Sequence, residues 1–577
     1  MMRDAWHTVA ATLAEAGCGL VVGVPSDEPG LLDAALDLAS NIAPDAADGG
    51  GLRPVVVRDQ RAGACIATGH AIVSGRPAVL ALTSGPAFPN ALAGLAEAAS
   101  LCVPLIVITT RIPVDGLGRC GFQETDQRSM SSSLVKWHHT VESASQLAWA
   151  VRRAVHMAVN GRPGLAVVEI SDEVGREQHV PSLPPLPAVS RLRAAPDTQL
   201  VAHACDVLRE ARRPLIVVGG GAKAAGAGPA ALRVAELLDA PLMTTATGRG
   251  GVPESHPAVV GLVGLYTTPP LEHLLEETDL VVAIGTRLEE TVRMGWPHSA
   301  DVRLVHIDAD PYAFGQVIEP EVAILGDATL VLEHMLAHFA AEPERPQRQE
   351  LPESPGRTAW RVRRMALNAL ATFRHYSGAG ASSARDAVAA VGAEFGEHAN
   401  YVHENGLHDI WSYHYPLLPV GPESRVVVPG EQTMLGFGLP AAIGAGLARP
   451  AAPTVLICGD GALQMNIPAL ATAAEYSVGL VVVMFDNAGF GWPRRMRVLE
   501  GEEAGLTRFR VPFPLDEVVR GLGGSAVEAR DPAQLRTSLH AARETAAAGA
   551  TALIRVPVSD DDVPSGILRV LGDSGGA

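Results

Sequence analysis

The sequence predicts an α/β protein built from three doubly wound parallel sheets. Short apolar runs alternate with helical stretches along nearly the whole chain, the pattern of parallel sheets covered by helices on both faces. Two segments interrupt the alternation, the proline-rich "VPSLPPLPAVS" and the charged, proline-containing "AEPERPQRQELPESPGR". At 577 residues the chain is too long for one core, and a prior of about 150 residues per domain suggests three or four.

In chain order, the first unit spans 1–182, with strands expected at "LVVGVP", "PVVVRD", "AVLALTS", "PLIVIT" and "LAVVEI". The second, 190–340, repeats the alternation with "PLIVVGGG", "APLMTTAT", "LVVAIGTR" and "RLVHID". A linker over 341–374 precedes the third unit, 375–562, and the tail 563–577 reads as loose. A hydrophobic content of 47% and a mean hydropathy of +0.17 suit large buried cores. A net charge of −18 argues against nucleic acid or an anionic membrane as the main partner. "MMRDAWHTVAATLAEAG" reads as an amphipathic helix rather than a leader. No apolar run reaches the roughly 18 residues needed to span a bilayer, so a soluble, cytoplasmic protein is expected. Six cysteines (Cys18, Cys65, Cys102, Cys120, Cys205, Cys458) show no CxxC or zinc spacing, and most read as reduced core residues.

The third unit carries the clearest chemistry. In "VLICGDGALQMN" a strand, Val455 to Cys458, stops at Gly459-Asp460-Gly461. Flanking glycines let a backbone turn sharply and approach a ligand closely. On its own, GDG reads more simply as an ordinary strand-ending turn. The helical "IPALATAAEYSVG" and a second strand in "LVVVMFDNAGFG" change that reading. A strand–helix–strand unit of this length is a crossover between parallel strands. It puts Asp460 and Asn487, 27 residues apart, side by side at the sheet edge where such folds bind ligands. One carboxylate, one amide oxygen and a backbone carbonyl form a hard oxygen set suited to Mg²⁺ carrying a phosphate ligand.

With "GDGALQMN…FDNAGFG" the chain resembles the thiamine diphosphate (ThDP) enzymes, whose diphosphate-anchoring motif runs from GDG to the second asparagine of an NN pair at this spacing. The resemblance implies ThDP bound through Gly459, Asp460, Gly461 and Ala462. It also implies Mg²⁺ held by Asp460, the Asn487 side chain and the Gly489 carbonyl. Asp486 stands where the family has the first asparagine. In the first unit, "GVPSDEPGLLDAAL", "VVRDQRAGACIATGHAIVSGRPAVLALTSGPA", "CVPLIVITTRIP" and "GFQETDQ" are similar to the pyrimidine-binding domain. "PLIVVGGGA", "GRGGVPESHP" and "HIDADP" resemble the middle domain of the decarboxylase and acetolactate synthase group, and "GFGLPAAIGAGLARP" extends the match in the third unit. Gly219-Gly220-Gly221 lacks the G-x-G-x-x-G spacing of a dinucleotide fingerprint. Acetolactate synthases hold FAD in the middle domain and many relatives hold nothing there; the sequence leaves both open.

One position departs from the family. The glutamate that shares a proton with the cofactor's pyrimidine lies 24 residues before the serine of "TSGP", and here that position is Gln60. An amide can donate a hydrogen bond to the ring nitrogen but cannot cycle a proton. Three readings follow: slow but sufficient activation, another acid entering the site (Asp27 or Glu28 of "GVPSDE"), or a ThDP-binding relative with little turnover. If "VVVRDQ" is extended, Asp59 faces away from Gln60.

The resemblance assigns further residues. Asp27 matches an active-site aspartate of the decarboxylases, although a helix-capping role serves as well. Gln123 of "GFQETD" matches a glutamine facing the reacting centre, with Phe122 packed nearby. Leu435 matches the apolar prop that bends ThDP, and Thr433 the position whose carbonyl accepts the 4′-amino hydrogen bond. His408 matches a histidine near the diphosphate. His138-His139 reads as structural, His70 replaces a family tyrosine, and Trp492 with the arginines after it suits a roof over an anionic substrate. The expected activity is that of an acetolactate synthase-like carboligase, joining the acyl unit of a pyruvate-like 2-oxo acid to a carbonyl acceptor. A 2-oxo acid decarboxylase and a non-catalytic ThDP binder are the alternatives. The resemblance also implies a homodimer or homotetramer with the active site between subunits.

Overall fold

The computed structural model describes residues 4–40, 51–181, 184, 186–296, 302–341, 362–363, 365 and 383–564. The linker expected over 341–374 and the tail expected over 563–577 lie almost wholly outside them. Among the described residues the chain forms three six-stranded sheets, parallel at every pairing, as the alternating pattern requires. The first contains β1 (Leu20–Gly23), β2 (Arg53–Val56), β3 (Ala78–Leu82), β4 (Leu105–Arg111), β5 (Val135–Val141) and β6 (Leu165–Ser171), in the order β2-β1-β3-β4-β6-β5. The second contains β7 (Pro214–Val218), β8 (Leu242–Thr244), β9 (Val259–Leu262), β10 (Leu280–Ile284), β11 (Arg303–Asp308) and β12 (Val322–Leu325), ordered β12-β11-β10-β7-β8-β9. The third contains β13 (Asn400–His403), β14 (Arg425–Val427), β15 (Thr454–Gly459), β16 (Leu480–Asp486), β17 (Ser525–Glu528) and β18 (Thr551–Pro557), ordered β14-β13-β15-β16-β18-β17.

The inner strands are buried on both faces: every residue of β6, β7 and β10 is buried. That is why they read as unbroken apolar runs rather than alternating ones. In the middle unit the glycine run serves close packing. A Cβ at Gly219 would lie 2.3 Å from the Gly285 carbonyl oxygen, so bare backbone is needed where the two turns touch.

The first and third sheets share a core. The helix Gln60–Ser74 crosses the helix Gly438–Ala448, and one apolar cluster runs from Leu80 and Ala64 through Ile443 to Leu456 and Val482. Gly69 and Gly444 sit at the crossing. A Cβ at Gly69 would lie 2.1 Å from the Ala441 carbonyl oxygen, and one at Gly444 would lie 2.0 Å from that of Ile66. The middle unit is tied to the third by Arg249, fully buried. It forks onto Glu254 and donates to the carbonyls of Ser412 (2.5 Å) and Leu418 (2.7 Å).

Because backbone meets backbone at the crossing, Gly69→Ala is expected to cost about 1–3 kcal/mol through overpacking. A thermal melt would show this as a lowered midpoint; a curve superimposable on wild type would contradict the close crossing.

Candidate active site

β15 and β16 are hydrogen-bonded neighbours with Gly459 opposite Phe485, so Asp460 and Asn487 leave the same edge of the sheet within one residue of each other's level. Asp460 is buried and opens a short helix, Asp460–Gln464, in which Ala462 is also buried. Its Oδ2 accepts the Gly489 N–H at 3.0 Å, joining the two loops. Burial, and then the charge of Asp486, pushes the Asp460 carboxyl up to about 6. Gly459 and Gly461 hold no left-handed torsion, and only Gly461 is closely approached. Gly459 is extended, and a Cβ there would meet nothing within 4 Å; one at Gly461 would lie 2.9 Å from the Phe490 ring. Gly489 is different: its φ is +156° and a Cβ would strike the Thr507 carbonyl oxygen at 2.1 Å. Asp486, in the place of the family asparagine, accepts the Ala488 N–H (3.1 Å) and pairs with Arg555 (3.3 Å).

This donor set fits a divalent cation carrying phosphate. A desolvated carboxylate with a second carboxylate beside it favours a positive neighbour. The space in front of Gly459 and the oxygen-only ligands suit Mg²⁺ and a diphosphate.

Facing these loops is the turn 430–438. Thr433 is exposed at a φ of +45°, and Leu435, an apolar residue, is 38% exposed. Buried carboxylates from two units hold the turn. Glu97, from the helix Ala87–Ser100, accepts the N–H groups of Gly430 and Met434. Glu404 accepts those of Asn405 (2.9 Å) and Gly438 (2.7 Å). Asn466 donates to the Gly436 carbonyl at 2.7 Å, and Glu431 reaches the middle unit at Thr291 (3.0 and 2.6 Å). Burial raises both Glu97 and Glu404, the latter to about 7 with a further push from Glu97. Nothing local in the sequence marks either glutamate.

In the first unit the extended reading of "VVVRDQ" does not hold. β2 ends at Val56 and a helix begins at Gln60, with Asp59 as its N-cap accepting the Ala62 N–H at 3.1 Å. Asp59 therefore does not face away. The Asn90 amide donates to Gln60 Oε1 at 2.7 Å and lies 3.2 Å from Asp59 Oδ2. Arg61, next in the chain, reaches the Met465 carbonyl (2.9 Å) and Asn466 (3.1 Å) beside the Asp460 loop. Gln123, at a φ of +64°, accepts the Ser84 hydroxyl at 3.2 Å. Phe122 does not pack beside it: the ring is 87% exposed. Asp27 is exposed and makes no cap to the following helix, where Asp33 takes the Gly30 N–H (2.8 Å); Glu28 pairs with Arg176 at 3.1 Å.

His138 and His139 lie within β5, His138 3.8 Å from Glu169 and His139 against Trp137 and Trp149, as a structural role requires. His70 is buried beside the helix crossing, its pKa lowered to about 4 by burial and then by Arg76. His408 is buried with Nδ1 3.0 Å from the Asp562 carbonyl, so a neutral ring turns an acceptor nitrogen, not a donor, the other way. Of the arginines after Trp492, Arg494 and Arg495 are already paired. Arg494 is buried against Asp560, Arg495 pairs with Asp561 (3.0 Å), and Trp492 packs on Ile410.

Comparison with known proteins agrees with this geometry. Three family profiles match in order: the N-terminal TPP binding domain of thiamine pyrophosphate enzymes over 3–130, their central domain over 201–335, and their C-terminal TPP binding domain over 404–556. The chain belongs to the thiamine pyrophosphate (ThDP) enzymes. Within them it is an enzyme of the acetolactate synthase-like kind. It is 32% identical to the acetolactate synthase large subunit of Parasynechococcus marenigrum, covering 77% of this chain and 71% of that one. It is 30% identical to the acetolactate synthase of Arthrospira platensis (77% and 76%) and 28% identical to the isozyme 1 large subunit of Escherichia coli (85% and 84%). Among the described residues no helix is long and apolar enough to cross a membrane.

The Glu404 carboxyl, raised from 4.5 to about 7, keeps a proton that the unfolded chain has released. Folding stability is then lost as pH rises through that window. Glu404→Gln is expected to flatten this dependence. Denaturation midpoints of wild type and variant between pH 5 and pH 8 check it, and parallel curves would refute it.

Proposed function

We propose that the protein is a ThDP- and Mg²⁺-dependent carboligase that decarboxylates a pyruvate-like 2-oxo acid and joins the acyl unit to a carbonyl acceptor. The observation that carries this reading is the convergence of Asp460, Asn487 and Gly489 at one sheet edge in a chain of this family. In the proposal these three hold Mg²⁺ through a carboxylate, an amide oxygen and a carbonyl. Bound ThDP supplies a nucleophilic ring carbon and an electron sink for loss of CO₂. The chain's own residues position and polarise. Leu435 props the cofactor, the Thr433 carbonyl receives its amino group, and Gln123, tethered to Ser84, faces the reacting carbons.

Gln60 gives this proposal its particular shape. Its carbonyl oxygen is taken by Asn90, which leaves the amide N–H to meet the pyrimidine nitrogen. That arrangement orients the ring but moves no proton, so activation is slow and carbon–carbon bond formation, which needs the relay less, is favoured over aldehyde release. The same substitution favours the second reading, a ThDP-binding relative with little turnover. Asp59, sharing the Asn90 amide, is a nearer acid than Asp27. FAD in the middle unit stays outside the proposal.

The active unit is proposed to be a homodimer or a dimer of dimers. Supporting this are large apolar side chains left exposed, among them Phe122, Leu506, Val511 and Phe513, which a second copy of the chain would cover. Sedimentation at micromolar concentration should give a multiple of the chain mass; a monomer would overturn this part.

The reaction is tested by CO₂ release and product NMR with Mg²⁺, ThDP and a panel headed by pyruvate. An acyloin product is expected, and aldehyde alone would refute the carboligase. Gln60→Glu should raise turnover, within the roughly 10²–10⁴-fold that a positioned acid contributes. Unchanged turnover would assign the proton work to another group, and ThDP bound without turnover in either form would leave the second reading.

A further inference from the structure

We propose that Asp560, clamped by Arg494, is the positioning residue that decides which end of the Asn487 amide faces the cation. The inference rests on the proposed metal site and adds a residue to it. A carboxamide has two ends of similar size, and only its oxygen can bind a cation. Asn487 Nδ2 donates to Asp560 Oδ1 at 3.1 Å. A carboxylate accepts and cannot donate, so this contact turns Asn487 Oδ1 away from Asp560 and leaves it available as a ligand. Partners of metal ligands act in this way by fixing their orientation.

Asp560 is itself held from two sides. Arg494 Nη1 lies 2.5 Å from its Oδ1 and Arg508 Nη2 lies 3.1 Å from its Oδ2. Arg494 is 2% exposed and spends its remaining donors on two adjoining segments: the carbonyls of Asn487 (3.1 Å) and Ala488 (3.4 Å), and the carbonyl (3.3 Å) and hydroxyl (3.3 Å) of Thr507. One ion pair thus sets the ligand side chain through Asp560 and the main chain leading to Gly489 through Arg494. Neighbouring Asp561 has no such place: it is 82% exposed and pairs with Arg495 at 3.0 Å.

The test is Mn²⁺ affinity of the full chain with ThDP present, read by electron paramagnetic resonance. Asp560→Ala removes the acceptor and should weaken Mn²⁺ binding about 10- to 100-fold. Asp560→Asn, whose carbonyl oxygen still accepts from Asn487 and Arg494, and Asp561→Asn should stay close to wild-type affinity. Asp560→Ala also leaves the buried Arg494 unpaired and lowers the melting midpoint, so a second background separates orientation from general damage. Asn487→Asp presents two equivalent oxygens and needs no orienting, so adding Asp560→Ala there should lower the midpoint again but cause no further loss of affinity. Equal losses of affinity in both backgrounds, wild-type affinity in Asp560→Ala, or the same loss in Asp560→Asn as in Asp560→Ala would each overturn the inference. Should Asp560→Ala not fold, Asp560→Asn carries the test: retained affinity is expected, and a loss of about 10-fold would overturn the inference. A wild-type protein that binds no Mn²⁺ beside ThDP would instead remove the proposed function, and this inference with it.

Discussion

The structure turns on a backbone segment, 430–438, whose N–H groups are capped by carboxylates buried in the core. Leaving such donors unpaired away from water would cost about 1–3 kcal/mol each, and burying an unpartnered carboxylate would cost more. Glu97 and Glu404 resolve both problems at once by accepting N–H groups of the segment and its flanks. Glu97 belongs to the first sheet's layer and Glu404 to the third's, while Glu431 reaches out to Thr291 in the middle unit. The segment is therefore the place where three separately wound sheets agree on a common position. Its exposed residues, Thr433 and Leu435, inherit that position.

How much of this was legible in the sequence depends on how local the cause is. Most inner strands were, because burial on both faces writes an apolar run; β13, with Asn400 and His403 in four residues, and β18 were not. Edge strands β9, β12, β14 and β17 also went unread, being three or four residues long and too short to set a period; the equally short edge β2 was read from its valines. The pairing of Asp460 with Asn487 was legible because a short crossover leaves one arrangement of its two strands. Asp59 was misread because strand alternation was carried past Val56 into a residue that caps a helix. The glutamates and Asp560 left no mark. Glu97 meets Met434 across 337 positions and Asp560 meets Asn487 across 73, and no window of sequence contains both partners.

The arginines of "GFGWPRRM" illustrate the same limit from the other side. Read as composition, they are cationic groups beside a glycine loop. In the fold, Arg494 is nearly inaccessible and is consumed by Asp560 and the backbone around it, an arrangement that the planar, multi-donor guanidinium suits and an ammonium would not. Charge in a sequence reports what a residue carries, not where that charge is spent.

The acidic run Asp560-Asp561-Asp562 follows β18 and reaches three places at once. Asp560 touches the Asn487 loop, Asp561 touches Arg495, and Asp562 bonds Trp411 and the start of the helix at Ala384. Asp460 and Asn487 leave the ribosome well before it. During synthesis the loops of Asp460 and Asn487 therefore exist for some time without the segment that contacts them, and Arg494 emerges 66 residues ahead of the carboxylate that it pairs with in the folded chain.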